Sequence, residues 1–199
     1  MAGLSFENGL RLHRDSILLF KNNSYTSFLF MSVLAIEEIG KTELLMDMLY
    51  HSYSSGVWDS NQQKNFLKLV YCHKSKQVNF ARLFDSPFPS NNFFKDLNNG
   101  DTDLLKQNSM YVGLKKVKGE IHLKSKIINP LKTPRLKVEK HITKVNDCLL
   151  ELVLSVIQQC SIMDSGYIEE KMNKRLYKEL KSNWSIVSPK TQSILKKQK

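Results

Sequence analysis

Residues 28–41 read FLFMSVLAIEEIGK, an almost continuous apolar run that ends in two glutamates, a glycine and a lysine. In a helix with about 100° between successive residues, Glu38 and Lys41 fall in phase with apolar residues about two turns away. Ionised groups that face a core are costly unless they are paired. We therefore predict that Glu38 and Lys41 point inward. Gly40 predicts close contact with another backbone, because a mid-helix glycine costs about 1 kcal/mol relative to alanine.

Composition favours one globular domain with a basic surface. The chain has 199 residues and a net charge of +11, from 30 Lys and Arg against 19 Asp and Glu. We predict a single helical domain over residues 1–184 and a basic, flexible tail over 185–199. The charge favours a polyanionic partner, RNA before a membrane, although a lysine-rich surface can also serve solubility alone.

The cysteines and the amino-terminal region indicate the compartment. Cys72, Cys148 and Cys160 are odd in number and widely spaced, so we expect reduced core thiols in a cytosolic protein. The first residues contain no apolar segment of signal-peptide length, and the apolar run from Phe28 is shorter than the ~20 residues that span a bilayer. The sequence therefore predicts a soluble, cytoplasmic protein without a membrane partner.

Apolar spacing of three and four predicts helices over residues 5–21, 24–50, 61–84, 134–163 and 167–184. Residues 93–97 form at most a short helical turn, and residues 100–132 are the least regular part of the chain. The predicted fold is an all-α bundle of four to five helices with an irregular insertion before the fourth long helix.

A polar cluster is expected between the second and third helices. A short turn joins them, so they should be antiparallel, with Glu38 and His73 at similar heights and Lys41 and Lys76 one turn away. Converging carboxylate, imidazole and ammonium groups are typical of functional sites. The alternative is a structural Glu38–Lys41 pair beside a hydrogen-bonded core histidine.

No other chemical motif indicates a cofactor. The five histidines show no HExxH, CxxC or carboxylate–histidine spacing typical of a metal site, and no phosphate-binding glycine loop is present. We predict neither a metal nor a cofactor.

A second polar cluster combines basic residues with a tyrosine. We predict that it contacts RNA or a partner through Lys106, Gln107, Asn108, Tyr111, Lys115 and Lys116. The alternative is a solvated loop that packs on the bundle.

Three motifs in this order, EEIGK, HKSK and KQNSMYV, resemble the AbiV family of bacterial abortive-infection proteins, which is related to HEPN domains. The resemblance implies a HEPN-like, helical, dimeric bundle that serves phage defence, within a wider group that includes many metal-independent ribonucleases. The matching positions are Glu37, Glu38, Gly40, Lys41, His73, Lys76, Lys106, Gln107 and Tyr111. With the matches included, the predicted core polar cluster consists of Glu37, Glu38, Lys41, His73 and Lys76. Gly113 departs from the pattern, since relatives are expected to carry an acidic residue there.

Nuclease members of the wider group carry an arginine and a histidine separated by four to six residues. Arg135 and His141 fit this spacing, although Leu136 stands where a polar residue is usual. Metal-free RNA cleavage needs a base for the 2′-hydroxyl and a cation for the developing phosphorane charge. Arg135, His141 and His73 are therefore the candidate catalytic residues.

These features predict a phage-defence effector that stops phage multiplication by acting on RNA or the translation machinery, with metal-independent RNA cleavage as one possible activity. A phage-encoded protein would be its trigger or target. The alternative is a non-enzymatic helical homodimer that binds a phage protein or a ribosome component. A partner module of the toxin–antitoxin type would share the same fold.

Overall fold

The computed structural model describes residues 1–83, 91–114, 116–117, 120–121, 123–157 and 166–182. Its helices confirm the all-α prediction. They are α1 (Ala2–Lys21), α2 (Tyr25–Ser55), α3 (Ser60–Tyr71), α4 (His73–Arg82), α5 (Asn91–Asn99), α6 (Asp101–Met110), α7 (Arg135–Ile157), α8 (Gly166–Lys171) and α9 (Lys174–Ser182). A 3₁₀ turn covers Pro130–Lys132. Two-residue strands form two antiparallel pairs, Gly113–Leu114 (β1) with Ile127–Ile128 (β4), and Lys116–Val117 (β2) with Glu120–Ile121 (β3).

Helix α2 is the central element of the bundle, because it packs against α1, α4, α6 and α7. Its side chains Val33, Ile36 and Ile39 are fully buried. They contribute to a core whose other fully buried members include Phe6 of α1 and Phe80 of α4. A helix surrounded in this way needs apolar residues on most of its circumference, which explains the near-continuous run in its sequence.

The predicted third helix, 61–84, is two helices, because the chain breaks at Cys72. Asp59 caps α3 by accepting hydrogen bonds from the backbone N–H groups of Asn61 and Gln62. Cys72 has extended backbone angles, φ −79° and ψ 118°, and α4 begins at the next residue. This break places His73 at the amino-terminal end of α4.

The irregular insertion is more helical than its sequence suggests. Residues 93–97 belong to the nine-residue helix α5, and Gly100, with φ of +81°, joins it to α6. The predicted fifth helix is also divided, into α8 and α9. Residues 158–163 of the predicted fourth helix and the predicted tail, 185–199, lie outside the described residues.

The apolar stripe of α7 is covered within the chain. Val138, Ile142, Val145 and Leu149 are at most 1% exposed. These four side chains are therefore not available to the predicted homodimer interface. Within the described residues, no helix has both the length and the apolar content needed to cross a bilayer.

The cysteines differ from one another. Cys148 is buried, as predicted, and burial raises the pKa of its thiol. Cys72 is exposed, so the prediction of a core thiol is wrong there, because the residue lies at the break between two helices. Cys160 lies outside the described residues.

Candidate functional site

Glu37 is the centre of a polar cluster that joins three helices. Its side chain is 2% exposed, and its Oε2 atom lies 2.7 Å from Nδ1 of His73. Its Oε1 atom lies 2.7 Å from Nζ of Lys106 on α6 and accepts a 3.0 Å hydrogen bond from Gln77 on α4. Lys76 adds an ammonium 3.6 Å from Oε2. Both oxygens of this buried carboxylate are therefore paired, which offsets its desolvation.

Gly40 determines how closely the two helices of the cluster approach. A Cβ atom at this position would lie 1.8 Å from the carbonyl oxygen of Lys76 and 2.6 Å from the backbone nitrogen of Phe80. The predicted backbone contact at Gly40 is thus confirmed. Because Gly40 is three residues after Glu37, the contact brings the amino-terminal part of α4 against the carboxylate.

Helix α6 brings a second carboxylate to the cluster. Nζ of Lys106 lies 3.1 Å from Oδ1 of Asp103 and 3.1 Å from Nδ1 of His73. The two carboxylates, Glu37 and Asp103, balance the ammoniums of Lys76 and Lys106 when His73 is neutral. The cluster is therefore electrically balanced with a neutral imidazole.

Geometry assigns the proton on the His73 ring. The short 2.7 Å contact between Nδ1 and the Glu37 carboxylate requires a proton between the two atoms, so Nδ1–H donates to Glu37. In the neutral form of the ring, the lone pair then lies on the other nitrogen, Nε2. The side chain of His73 is 55% exposed, whereas its carboxylate partner is buried. A buried carboxylate thus orients a solvent-accessible imidazole whose Nε2 can accept a proton.

Glu38 and Lys41 do not join this cluster, which corrects the prediction that Glu38 lies beside His73. Glu38 accepts hydrogen bonds from Ser5 at 3.1 Å and Asn8 at 3.2 Å, both on α1, and lies 3.5 Å from Nζ of Lys41. The Glu38 and Lys41 side chains are only partly buried. The prediction is wrong because α2 is packed on several sides. The alignment of a residue with one apolar stripe therefore does not show which of the two glutamates is buried.

The predicted RNA or partner site is divided. Lys106 is buried in the cluster, whereas Gln107 is exposed and donates to Asp103 at 2.8 Å. Asn108 is half-buried and Tyr111 is exposed. Lys115 lies outside the described residues, as does the side chain of Lys116 on β2.

Arg135 and His141 occupy different environments at the start of α7. The side chain of Arg135 is 63% exposed and pairs with Glu139 at 2.7 Å. His141 is 8% exposed, and its Nε2 lies 3.2 Å from the hydroxyl of Ser32. Burial lowers the pKa of His141 to about 3, with smaller contributions from nearby cations. In this chain His141 is therefore neutral and shielded from solvent at physiological pH.

A match to a protein-family model shows which family the chain belongs to. The model of the HEPN group described as AbiV matches residues 2–151, about three quarters of the sequence. The chain belongs to the AbiV family. This confirms the resemblance carried by EEIGK, HKSK and KQNSMYV, and the family indicates an abortive-infection, HEPN-type defence protein. No curated protein and no solved structure matches the chain significantly.

The whole Glu37 cluster lies within the segment that matches the AbiV model. Sequence reasoning missed two of its members, Gln77 and Asp103, and assigned Lys106 to a surface. Asp103 stands three residues before Lys106, which is one turn of a helix, so recognising α6 would have placed both on one face. Gln77 follows Lys76 directly, and its amide carried no signal of its own.

Proposed function

We propose that the Glu37–His73 pair is the acid–base site of an abortive-infection effector that acts on RNA in the cytoplasm, as a metal-independent ribonuclease. One observation carries the proposal: the buried Glu37 carboxylate lies 2.7 Å from Nδ1 of an imidazole that is 55% exposed. A carboxylate in this position fixes the tautomer and orientation of a catalytic histidine.

The reaction that suits such a pair is attack of an RNA 2′-hydroxyl on the adjacent phosphorus. Nε2 of His73 would take the 2′-hydroxyl proton as the P–O bond forms, and the bond to the 5′-oxygen would break. The leaving 5′-oxygen would take a proton from the imidazolium or from water. Such a base typically contributes about 10²- to 10⁴-fold to the rate.

A cation is also needed for the developing phosphorane charge. Lys76 and Lys106 are committed to Glu37, whereas Lys74 is exposed and follows His73 directly on α4. Arg135, which is exposed, is a second candidate for this role. His141 would need a rearrangement of α7 to reach a substrate, so we prefer His73 to His141 as the catalytic base.

The test compares two exposed histidines. Purified wild-type protein, His73→Gln and the matched control His51→Gln are incubated with total RNA in EDTA, with and without phage lysate. We expect cleavage by the wild type and His51→Gln, and at least about 100-fold slower cleavage by His73→Gln. Equal activity of all three proteins would refute the assignment of His73. Loss of activity in EDTA would refute the metal-independent mechanism.

RNA binding gives a second readout. With a net charge of +11, phosphate contacts should dominate, so affinity should fall about tenfold or more between 50 and 200 mM salt. Lys74→Ala should reduce this salt dependence, because the variant removes an exposed cation. Salt-independent binding would instead favour a protein partner.

A second candidate function is non-enzymatic binding as a homodimer or to a phage protein or ribosome component. Large apolar side chains remain exposed around the connection between α2 and α3, and they are Leu49, Tyr50, Tyr53, Val57, Leu67, Leu69 and Tyr71. Exposed apolar clusters often mark interaction surfaces. Sedimentation of wild type and Tyr53→Ser/Tyr71→Ser at micromolar concentration tests this candidate: a dimer lost in the double variant supports it, and identical monomers contradict self-association.

A further inference from the structure

The Lys106 ammonium is surrounded by three groups that are ordinary metal ligands. Nζ lies 2.7 Å from Oε1 of Glu37, 3.1 Å from Nδ1 of His73 and 3.1 Å from Oδ1 of Asp103. Ligand atoms of these three residues lie within 4.8 Å of one another. The ammonium thus stands among two carboxylates and an imidazole, the position that a metal ion would take.

A buried amide beside this site has an oxygen atom without a hydrogen-bond partner among the described residues. Gln77 is fully buried, and its amide nitrogen donates to the same Oε1 atom of Glu37 at 3.0 Å. If the amide were flipped, its oxygen would face the negatively charged carboxylate and repel it. The amide nitrogen of Gln77 is therefore assigned as the atom that donates to Glu37. Within the part of the chain that the structure describes, the carbonyl oxygen Oε1 of Gln77 then has no hydrogen-bond partner. Buried acceptors without a partner are rare, and this one belongs to an amide already in contact with the ligand set.

We infer that Lys106 serves as a built-in cation in place of a metal, and that its removal opens a Zn²⁺ site formed by Glu37, His73 and Asp103. Mixed imidazole and carboxylate ligands suit Zn²⁺, which binds them at about 2.0–2.2 Å. Each ligand atom would move inward by about 1 Å from its present distance to Nζ, and the ring proton of His73 would move from Nδ1 to Nε2 so that Nδ1 can bind the metal. Water would complete the coordination.

The charged side chains of the cluster predict how strongly the site opened by removing Lys106 binds Zn²⁺. In the wild type two ammoniums balance two carboxylates. In Lys106→Ala, the two carboxylates outweigh the Lys76 ammonium by one negative charge, which favours binding of a cation. With Zn²⁺ bound, the same groups carry an excess of one positive charge, because Lys76 remains. Lys76→Met in the same chain removes this excess, so the double variant Lys76→Met/Lys106→Ala should bind Zn²⁺ more tightly than Lys106→Ala.

The experiment measures metal binding without RNA, so its result does not depend on the proposed ribonuclease function. All proteins carry Cys72→Ser, because the exposed thiol beside His73 could otherwise bind metal. With 100 µM ZnCl₂ we expect the melting temperature of Lys106→Ala to rise by about 5 °C or more, with one ion bound per chain. The Lys106-containing chain and the matched control His73→Ala/Lys106→Ala should shift by less than about 1 °C, since one retains the ammonium and the other lacks a ligand.

A shift absent from Lys106→Ala, or equal in all three proteins, would overturn the inference. If Lys106→Ala is unfolded without metal, circular dichroism replaces the melting curve: recovery of helicity on adding Zn²⁺ supports the site, and no recovery overturns it. Co²⁺ provides a spectroscopic check, because visible absorption of tetrahedral intensity requires the metal to sit among the protein ligands. Such absorption should appear in Lys106→Ala and be missing from the His73→Ala/Lys106→Ala control.

Discussion

The backbone of Gly40 on α2 lies directly against the backbone of Lys76 on α4: a Cβ atom on Gly40 would come within 1.8 Å of the Lys76 carbonyl oxygen. This contact fixes the spacing of the two helices that carry Glu37 and His73. The position of a glycine therefore sets the geometry of the candidate site, although the glycine takes no part in its chemistry.

Gly40→Ala should destabilise the protein by about 2–3 kcal/mol, because backbone atoms on α4 must move away from the new methyl group. Alanine's better helix propensity offsets only about 1 kcal/mol of this cost. Urea denaturation measures the change. Gly113→Ala is the matched control, since a Cβ atom there meets nothing within 4 Å. Equal stabilities of the two variants would show that α2 and α4 are not in backbone contact.

Glu37→Gln should destabilise the protein by about 3 kcal/mol or more, because it leaves two buried ammoniums without their shared counter-charge. Glu38→Gln should cost about 1 kcal/mol or less, since Glu38 is partly exposed and its amide oxygen can still accept from Ser5 and Asn8. The two substitutions are adjacent and chemically identical, so each controls for the other. Urea denaturation measures both changes. If Glu38→Gln lowered the free energy of unfolding more than Glu37→Gln, the assignment of Glu37 as the buried carboxylate would be wrong.

The fold was largely predictable from the sequence, because long helices carry strong periodic signals. The bounds of α1 and the start of α2 differ from prediction by only a few residues. The break at Cys72 was not predictable from periodicity, since the apolar spacing continues across it. Helix α6 was missed because it is short and polar, so its helicity depends on packing against α2 and α4.

The candidate site was predictable only in part. Gly40, His73 and Lys76 were placed at the contact between the two helices, as the structure has them. Choosing between Glu37 and Glu38 required tertiary information, because adjacent residues on a buried helix face different neighbours about 100° apart. The contribution of Lys106 required a contact across 69 residues of sequence, which no local pattern encodes.

Acid should destabilise the protein in a defined pH range. Burial lowers the pKa of His141 to about 3 and that of His13 to about 4, whereas both titrate near 6.5 when unfolded. Below pH 6.5 the unfolded chain therefore binds more protons than the folded one, and stability falls as pH decreases toward 4. The slope should approach about 1.4 kcal/mol per pH unit for each histidine.

Thermal unfolding between pH 7 and pH 4 tests this dependence with matched variants. His141→Gln should remove about half of the histidine contribution to the slope, because glutamine keeps a polar atom near Ser32 but does not titrate. His51→Gln, at an exposed position, is the matched substitution of a histidine outside the core. A pH dependence unaltered by His141→Gln would show that His141 is not held neutral by burial.

Cys72 should react with thiol reagents far faster than Cys148. Hydrogen bonds from Ser75 lower the pKa of the exposed Cys72 thiol, and the bond from the Ser75 side chain has a larger effect than the bond from its backbone. Burial raises the pKa of the Cys148 thiol. The thiolate is the reactive form, so at pH 7 Ellman's reagent should modify Cys72 in the first phase. Cys72→Ser should abolish that phase, and Ser75→Ala should slow it several-fold by raising the thiol pKa. A fast phase that persists in Cys72→Ser would assign the reactivity to another thiol and remove the basis for a lowered pKa at the start of α4.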